Sequence, residues 1–399
     1  MSDRRCKCGW GGYIALVLGL ACACRGWAGE KADEHTIIYK SGISYDRNYF
    51  ADTNRLSAIS LRAGFGLTGK IALEGAELRY SLEQEEVRLP RYRFANEHNT
   101  IASLGLTRRF SEKLEWALEL RGTRSDAGDI FLHLPEENIG YRQLDHKLEA
   151  SSQLGILALG GKNKLTASLA SLMKGEARFR PAYFIPTRLE ANEALLSLKA
   201  EHERPLAGGE AGITIAYDRI LVPEGQQEKY ERFPAHTLRG SLAYGYRFSN
   251  RLAVLAEAGL TSISGDEISD KVKRTRPYLR AEAELKATDR IAFGVGFSQD
   301  YALFDPDDPI AEFHRRWQFV VKSRLAEKVG LDLALQQVHK DWIYYNYDTS
   351  ERRLVATLSF DTGKNSKLEV EFNRLLHDER DTDLAYDGSS VTSRFSGTF

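Results

Sequence analysis

Cysteine is missing from all but the opening of this 399-residue chain, where Cys6, Cys8, Cys22 and Cys24 are the full complement. A fold built downstream of them has no disulfide and no thiolate metal site to lean on. Proline is scarce, at 10 residues against 18 Tyr and 18 Phe, a balance foreign to a disordered chain. Past position 30 no apolar run approaches the roughly 20 residues that a membrane-spanning helix needs, which excludes a helical membrane bundle. Net charge is missing too: 55 Lys plus Arg face 56 Asp plus Glu, with no acidic or basic tail. That removes the basic excess by which a sequence argues for a nucleic-acid partner, and none is expected.

The first residues account for the cysteines. Asp3-Arg4-Arg5-Cys6-Lys7 is a basic start, the stretch from Tyr13 to Ala23 is apolar, and Gly26-Trp27-Ala28 offers small residues for a cut after Ala28. The pattern predicts a secretory signal peptide over 1–28, a short periplasmic segment over 29–35 and one domain over 36–399. Processing as a lipoprotein at Cys22 or Cys24 is the alternative.

From Thr36 onward the dominant pattern is alternation with period two. In Leu238-Arg239-Gly240-Ser241-Leu242-Ala243-Tyr244-Gly245-Tyr246-Arg247-Phe248, the leucines and aromatics fall on one face and both arginines on the other. About 18 such runs follow one another, with 16 as the alternative count. Among them are 55–67, 71–83, 164–178 and 389–399. Tight turns at Thr68-Gly69-Lys70, Ser111-Glu112-Lys113, Gly160-Gly161-Lys162, Leu206-Ala207-Gly208-Gly209 and Ser249-Asn250-Arg251 alternate with longer polar connections such as 126–140, 223–234 and 305–314. Short turn, long loop, short turn is the pattern of an all-β, transmembrane, up-and-down antiparallel barrel in the bacterial outer membrane, with periplasmic turns and extracellular loops. In lipid every backbone N–H and C=O must be paired, and a closed barrel does that without an edge. A soluble sandwich also alternates, but its strands average nearer 5 or 6 residues.

In a barrel the polar face points into the lumen. Candidate lumen-lining residues are Arg62, Glu77, Arg79, Glu119, Arg121, Lys174, Lys199, Glu201, Arg239, Arg280, Glu282, Lys322, Arg324, Glu369 and Glu371. Their signs nearly cancel, so cross-strand ion pairs bracing the wall and a hydrated, charge-lined conduit are compatible readings. The last strand alternates up to Phe395, Gly397 and Phe399, an aromatic ending expected to act as the insertion signal read by the barrel-insertion machinery. Lipid of the outer membrane is the other expected partner. No cofactor is expected and no catalytic set is found: the nine histidines are scattered, and no Ser-His or Asp-His pair meets on the rim. Asp305-Pro306-Asp307-Asp308-Pro309 lacks the Gly and distal Glu of a calcium loop, so it is read as a turn.

Tyr45-Asp46-Arg47-Asn48-Tyr49-Phe50, within the segment from Ser41 to Asn54, resembles the opening phrase of β-barrel porins encoded with exopolysaccharide secretion systems. Arg247-Phe248-Ser249-Asn250-Arg251-Leu252 and Arg109-Phe110-Ser111-Glu112-Lys113-Leu114 resemble strand-turn-strand phrases of the same group. The resemblance implies a passive outer-membrane conduit for an extracellular polysaccharide, working with a periplasmic polysaccharide-export partner. In strand count the chain is also similar to alginate-export porins, but a wall without basic excess fits a neutral or mixed polymer better than an acidic one. The residues leave two other functions open: a general diffusion porin for small hydrophilic solutes, and a sheath barrel around a periplasmic protein such as an electron carrier. Outer loops of about 15 residues or fewer are expected to leave a wide pore unobstructed.

Overall fold

Residues 34–133, 138–181, 185–265, 272–379 and 384–399 are described by a computed structural model. The expected signal peptide over 1–28 lies outside the described residues. The strands are β1 Glu34–Asp46, β2 Ala58–Leu73, β3 Ala76–Arg88, β4 Glu97–Ser111, β5 Leu114–His133, β6 Asn138–Ala158, β7 Gly161–Met173, β8 Arg178–Arg180, β9 Glu193–Leu206 and β10 Gly209–Leu221. They continue as β11 Ala235–Arg247, β12 Leu252–Gly265, β13 Lys273–Lys286, β14 Ile291–Ala302, β15 Glu312–Ala326, β16 Val329–Trp342, β17 Tyr347–Gly363, β18 Ser366–Glu379 and β19 Tyr386–Thr398.

Each long strand pairs antiparallel with the next, and β1 pairs with β19 from Ile38↔Thr398 to Asp46↔Ser390, so the sheet closes on itself. The three-residue β8 pairs with the outer stretch of β6, above the end of β7, and continues its ladder after a break at 174–177. The wall is therefore an 18-strand barrel. Eight connections of two or four residues lie at the end that holds the chain's C-terminus, here the turn end; the longer connections lie at the loop end.

Alternation gives the wall two faces. On one, Ile37, Ile43, Phe65, Ile213, Leu242, Leu260, Trp317 and Leu335 each stand more than half exposed. A band of large bare apolar side chains around a closed sheet is untenable in water and is what hydrocarbon selects, so this face is the lipid face. The other face is concave, because its side chains meet across intervening strands: Arg239 on β11 reaches Asp300 on β14, over β12 and β13.

The structure departs from the sequence reading in three places, each for a local reason. The turn expected at Thr68-Gly69-Lys70 is paired strand, and the chain reverses instead at Glu74 and Gly75, where Gly75 supplies φ +69°. Gly69 serves packing: a Cβ there would stand 2.6 Å from the Tyr80 ring, which lies over the bare backbone. Tyr39 covers Gly397 and Tyr244 covers Gly209 in the same way. The polar stretch 126–140, expected as a loop, is mostly strand, since β5 runs to His133 and β6 starts at Asn138. Polar residues are tolerated there because these strands rise past the ends of their neighbours into the rim. The run 164–178 is interrupted after Met173, where Lys174 leaves the ladder. At the two-residue turns Leu159-Gly160 and Ala207-Gly208 both residues have positive φ, the conformation that lets a hairpin turn tightly with the strands' own twist.

Candidate functional site

Among the described residues two apolar clusters form at the loop end, and the segment 303–311 between β14 and β15 supplies much of the larger one. Leu303, Ile310 and Ala311 are buried against Ile220, Val222 and Phe233 from the β10–β11 side, Ile263 of β12 and Ile343 after β16. Burial of those apolar groups folds the segment back over the mouth as a strap. Arg232 pins it: Nε donates to Glu193 Oε2 at 2.7 Å, Nη1 donates to the carbonyls of Pro309 at 3.1 Å and Ile310 at 2.9 Å, and Nη2 donates to the carbonyl of Leu303. Both side chains of this ion pair are buried, at 10% and 5% exposure, and Glu193 Oε1 also accepts the Asp305 N–H.

Asp308 is the second fastening. Oδ1 accepts the N–H groups of Ile310 and Ala311 at 2.9 and 3.0 Å, while Oδ2 accepts those of Tyr344 and Tyr345 at 2.9 and 3.3 Å, tying the strap to the β16–β17 loop. Burial pushes the Asp308 carboxyl up and the four backbone donors pull against it. Tyr345 in turn donates to Glu231 at 2.8 Å, a bond that pushes its phenol up to about 12.

The far end of the strap crosses to the opposite wall. Lys147 Nζ, on the polar face of β6, sits 5.3 Å from the centre of the Phe304 ring. Lys174 Nζ, just beyond β7, lies 2.6 Å from Glu190, 3.5 Å from Asp305 and 3.9 Å from Asp145. Burial alone would lower the Lys174 pKa, but those three carboxylates hold it above the ordinary lysine value. Beside the strap a cleft of about 460 Å³ is lined by six carboxylates against two cations, Lys174 and Arg232.

A smaller bundle stands on the other side of the mouth, where Leu56, Leu89, Tyr92, Ala95 and Ile130 pack with Tyr49, Phe50 and Phe94. Arg142 holds it, donating to the carbonyls of Phe94, Asn96 and Asp126 and to Asp126 Oδ1 at 2.6 Å. Tyr49 donates to Glu97 at 2.7 Å, and burial with that neighbouring charge raises its pKa. The expectation that these loops are too short to narrow the pore is overturned. A short loop spans a wide mouth when it lies flat across neighbouring loops and has a buried pin.

On the strands the candidate wall residues pair locally. Arg62 meets Glu85 at 3.1 Å, Arg79 meets Glu77 at 3.3 Å, and Arg121 lies 4.0 Å from Glu149. Lys199 meets Glu201 at 2.6 Å, Arg280 meets Glu282 at 2.8 Å, and Glu371 meets Arg394 at 3.3 Å. Glu369 is held by Lys367 at 2.7 Å, Arg239 by Asp300, and Glu119 lies in register with Gly105 and Ser151. Lys174 is off the strands, at the strap. Lys322 and Arg324 share the polar face of β15 at the turn end. At the C-terminus, the Phe395 and Phe399 rings lie 5.7 and 5.1 Å from Tyr39, and Phe399 exchanges two backbone hydrogen bonds with Ile37.

Sequence reading missed Arg232, Phe304 and the stapling role of Asp308. The dense Asp and Pro of 305–309 was the visible trace, and its outcome is a strap and not a free turn. Among the described residues no group of three metal-ligating side chains forms.

No protein-family model matches the sequence. No curated protein is similar to it either. Among solved structures, a ferric enterobactin receptor mutant from Pseudomonas aeruginosa in complex with enterobactin superposes with TM-score 0.50 at 9% identity, covering 93% of this chain and 82% of that one. The siderophore receptor PirA from Acinetobacter baumannii superposes with TM-score 0.51 at 7% identity, covering 93% and 81%. The likeness is one of fold. It supports a barrel of outer-membrane type, in agreement with the lipid face, and it does not extend to a ligand.

Proposed function

We propose that this chain is an outer-membrane channel for small hydrophilic solutes whose mouth is narrowed by the 303–311 strap. The observation that carries this reading is the strap's reach from its Arg232 pin to Lys147 and Lys174 on the far wall. A passage bounded by fixed charges and a fixed loop discriminates by size and charge, and the locally paired wall keeps the remainder wet without a strong field. The lumen-lining role of the paired wall residues and the insertion role of Phe395, Gly397 and Phe399 belong to the same reading. Purified protein in a planar bilayer is expected to give stable single-channel conductance below that of an open pore of this strand number. A bilayer that stays silent at every applied voltage rejects the reading.

A second reading, a conduit for an extracellular polysaccharide with a periplasmic export partner, is favoured by the exposed rings of Tyr344 and Tyr345 at the mouth, on which a sugar face can stack. Deleting the gene would then abolish the extracellular polymer and leave small-solute uptake unchanged; loss of uptake with normal polymer favours the first reading.

A further inference from the structure

At the turn end the wall departs from its own rule of local pairing. A cavity of about 700 Å³ under the β11–β18 turns is lined by seven cationic side chains against four carboxylates. Three of the cations, Lys286, Lys322 and Arg324, lie on the polar face of β13 and β15, and Arg251, Arg290 and Lys328 come from the turns β11–β12, β13–β14 and β15–β16. Ala292 stands in register with both Lys286 and Lys322, so the two lysines flank it across neighbouring ladders, roughly 10 Å apart by strand spacing. Arg324 follows Lys322 two residues on, on the same face. Asp332, opposite Lys322 in register, is its only in-register carboxylate. Among the described residues none of these six cations makes an ion pair. A comparable cavity at the same end, between β4 and β9, carries four cations and four carboxylates and includes the Lys164–Glu201 pair.

Six cations that face one concavity with no ion pair among the described residues, in a lining of seven cations against four carboxylates, repel one another on balance, and a multivalent oxyanion relieves that repulsion more than chloride does. We propose that this cavity is a binding site for multivalent oxyanionic solutes of the phosphate or polyphosphate class. Lys286, Lys322 and Arg324 supply the fixed wall contacts and the turn cations close the site from below. The site is independent of the strap and of whether the pore conducts.

Calorimetric titration of the full-length barrel in detergent with tripolyphosphate tests this without any conductance measurement. One saturable site is expected at about 10 mM salt, weakening steeply at about 150 mM as the Debye length falls from roughly 30 Å to roughly 8 Å. The double variant Lys322→Glu with Arg324→Glu should lose roughly tenfold or more in affinity. The double variant Lys162→Glu with Lys164→Glu, on the charge-balanced cavity, should bind as the parent does. No saturable heat at low salt, or equal loss in both double variants, overturns the proposal. Heat-modifiable gel migration of each variant confirms that the barrel compared is folded.

Discussion

Arg232 and Glu193 show how one buried pair governs a loop. Removing the guanidinium strands a buried carboxylate and three carbonyls, a loss on the order of 3–5 kcal/mol concentrated in the strap. Arg232→Ala should leave the barrel's melting temperature in detergent nearly unchanged while protease cuts within 303–311; a strap as resistant as the parent's would dismiss the pin. Lys174 makes a pH-dependent contribution. Its pKa is raised in the folded state by Glu190, Asp305 and Asp145 over the opposing effect of burial. The stabilisation is therefore complete below the unfolded lysine value of about 10.4 and is lost as pH rises through the folded value. Cleavage of 303–311 should be flat from neutral to mildly alkaline pH and rise only above that point, and Lys174→Met should erase the rise. None of this was legible from the residues alone, because a pin and its socket lie far apart in sequence: Arg232 sits 39 positions from Glu193 and 71 from Leu303.

At the level of strands, the sequence was most informative where the physics is local. Alternation is enforced residue by residue by lipid on one side and water on the other, and it yields the strand count and most turns directly. It misplaces the β2–β3 turn because a glycine carries two meanings that look alike in one dimension, a reversal at Gly75 and a bed for an aromatic ring at Gly69. The same ring-on-glycine contact closes the barrel, with Tyr39 lying over Gly397 beside Phe399. Gly397→Val should displace Tyr39 and weaken the β1–β19 seam, and Phe399→Asp should prevent insertion. An open edge leaves unpaired backbone groups that each cost several kcal/mol in lipid. Wild-type levels of heat-modifiable Phe399→Asp protein in the outer membrane would refute the role given to that ring.

For the molecule as a whole, overall neutrality hides an axial arrangement that no composition count reveals. On the proposal that the strap narrows the mouth, replacing 304–309 by two glycines should enlarge the single-channel current; an unchanged current would move the constriction elsewhere. The cleft at the mouth has six carboxylates against two cations, and the cavity at the turn end has seven cations against four carboxylates. The lumen thus carries two oppositely charged cavities in series, one at each end. A voltage positive on the mouth side drives cations and anions toward each other and fills the lumen between them with carriers, whereas the reverse voltage empties it. Inserted in one orientation, this barrel should therefore rectify, passing more current with the mouth positive, and lose that asymmetry when Lys322 and Arg324 are both made glutamate.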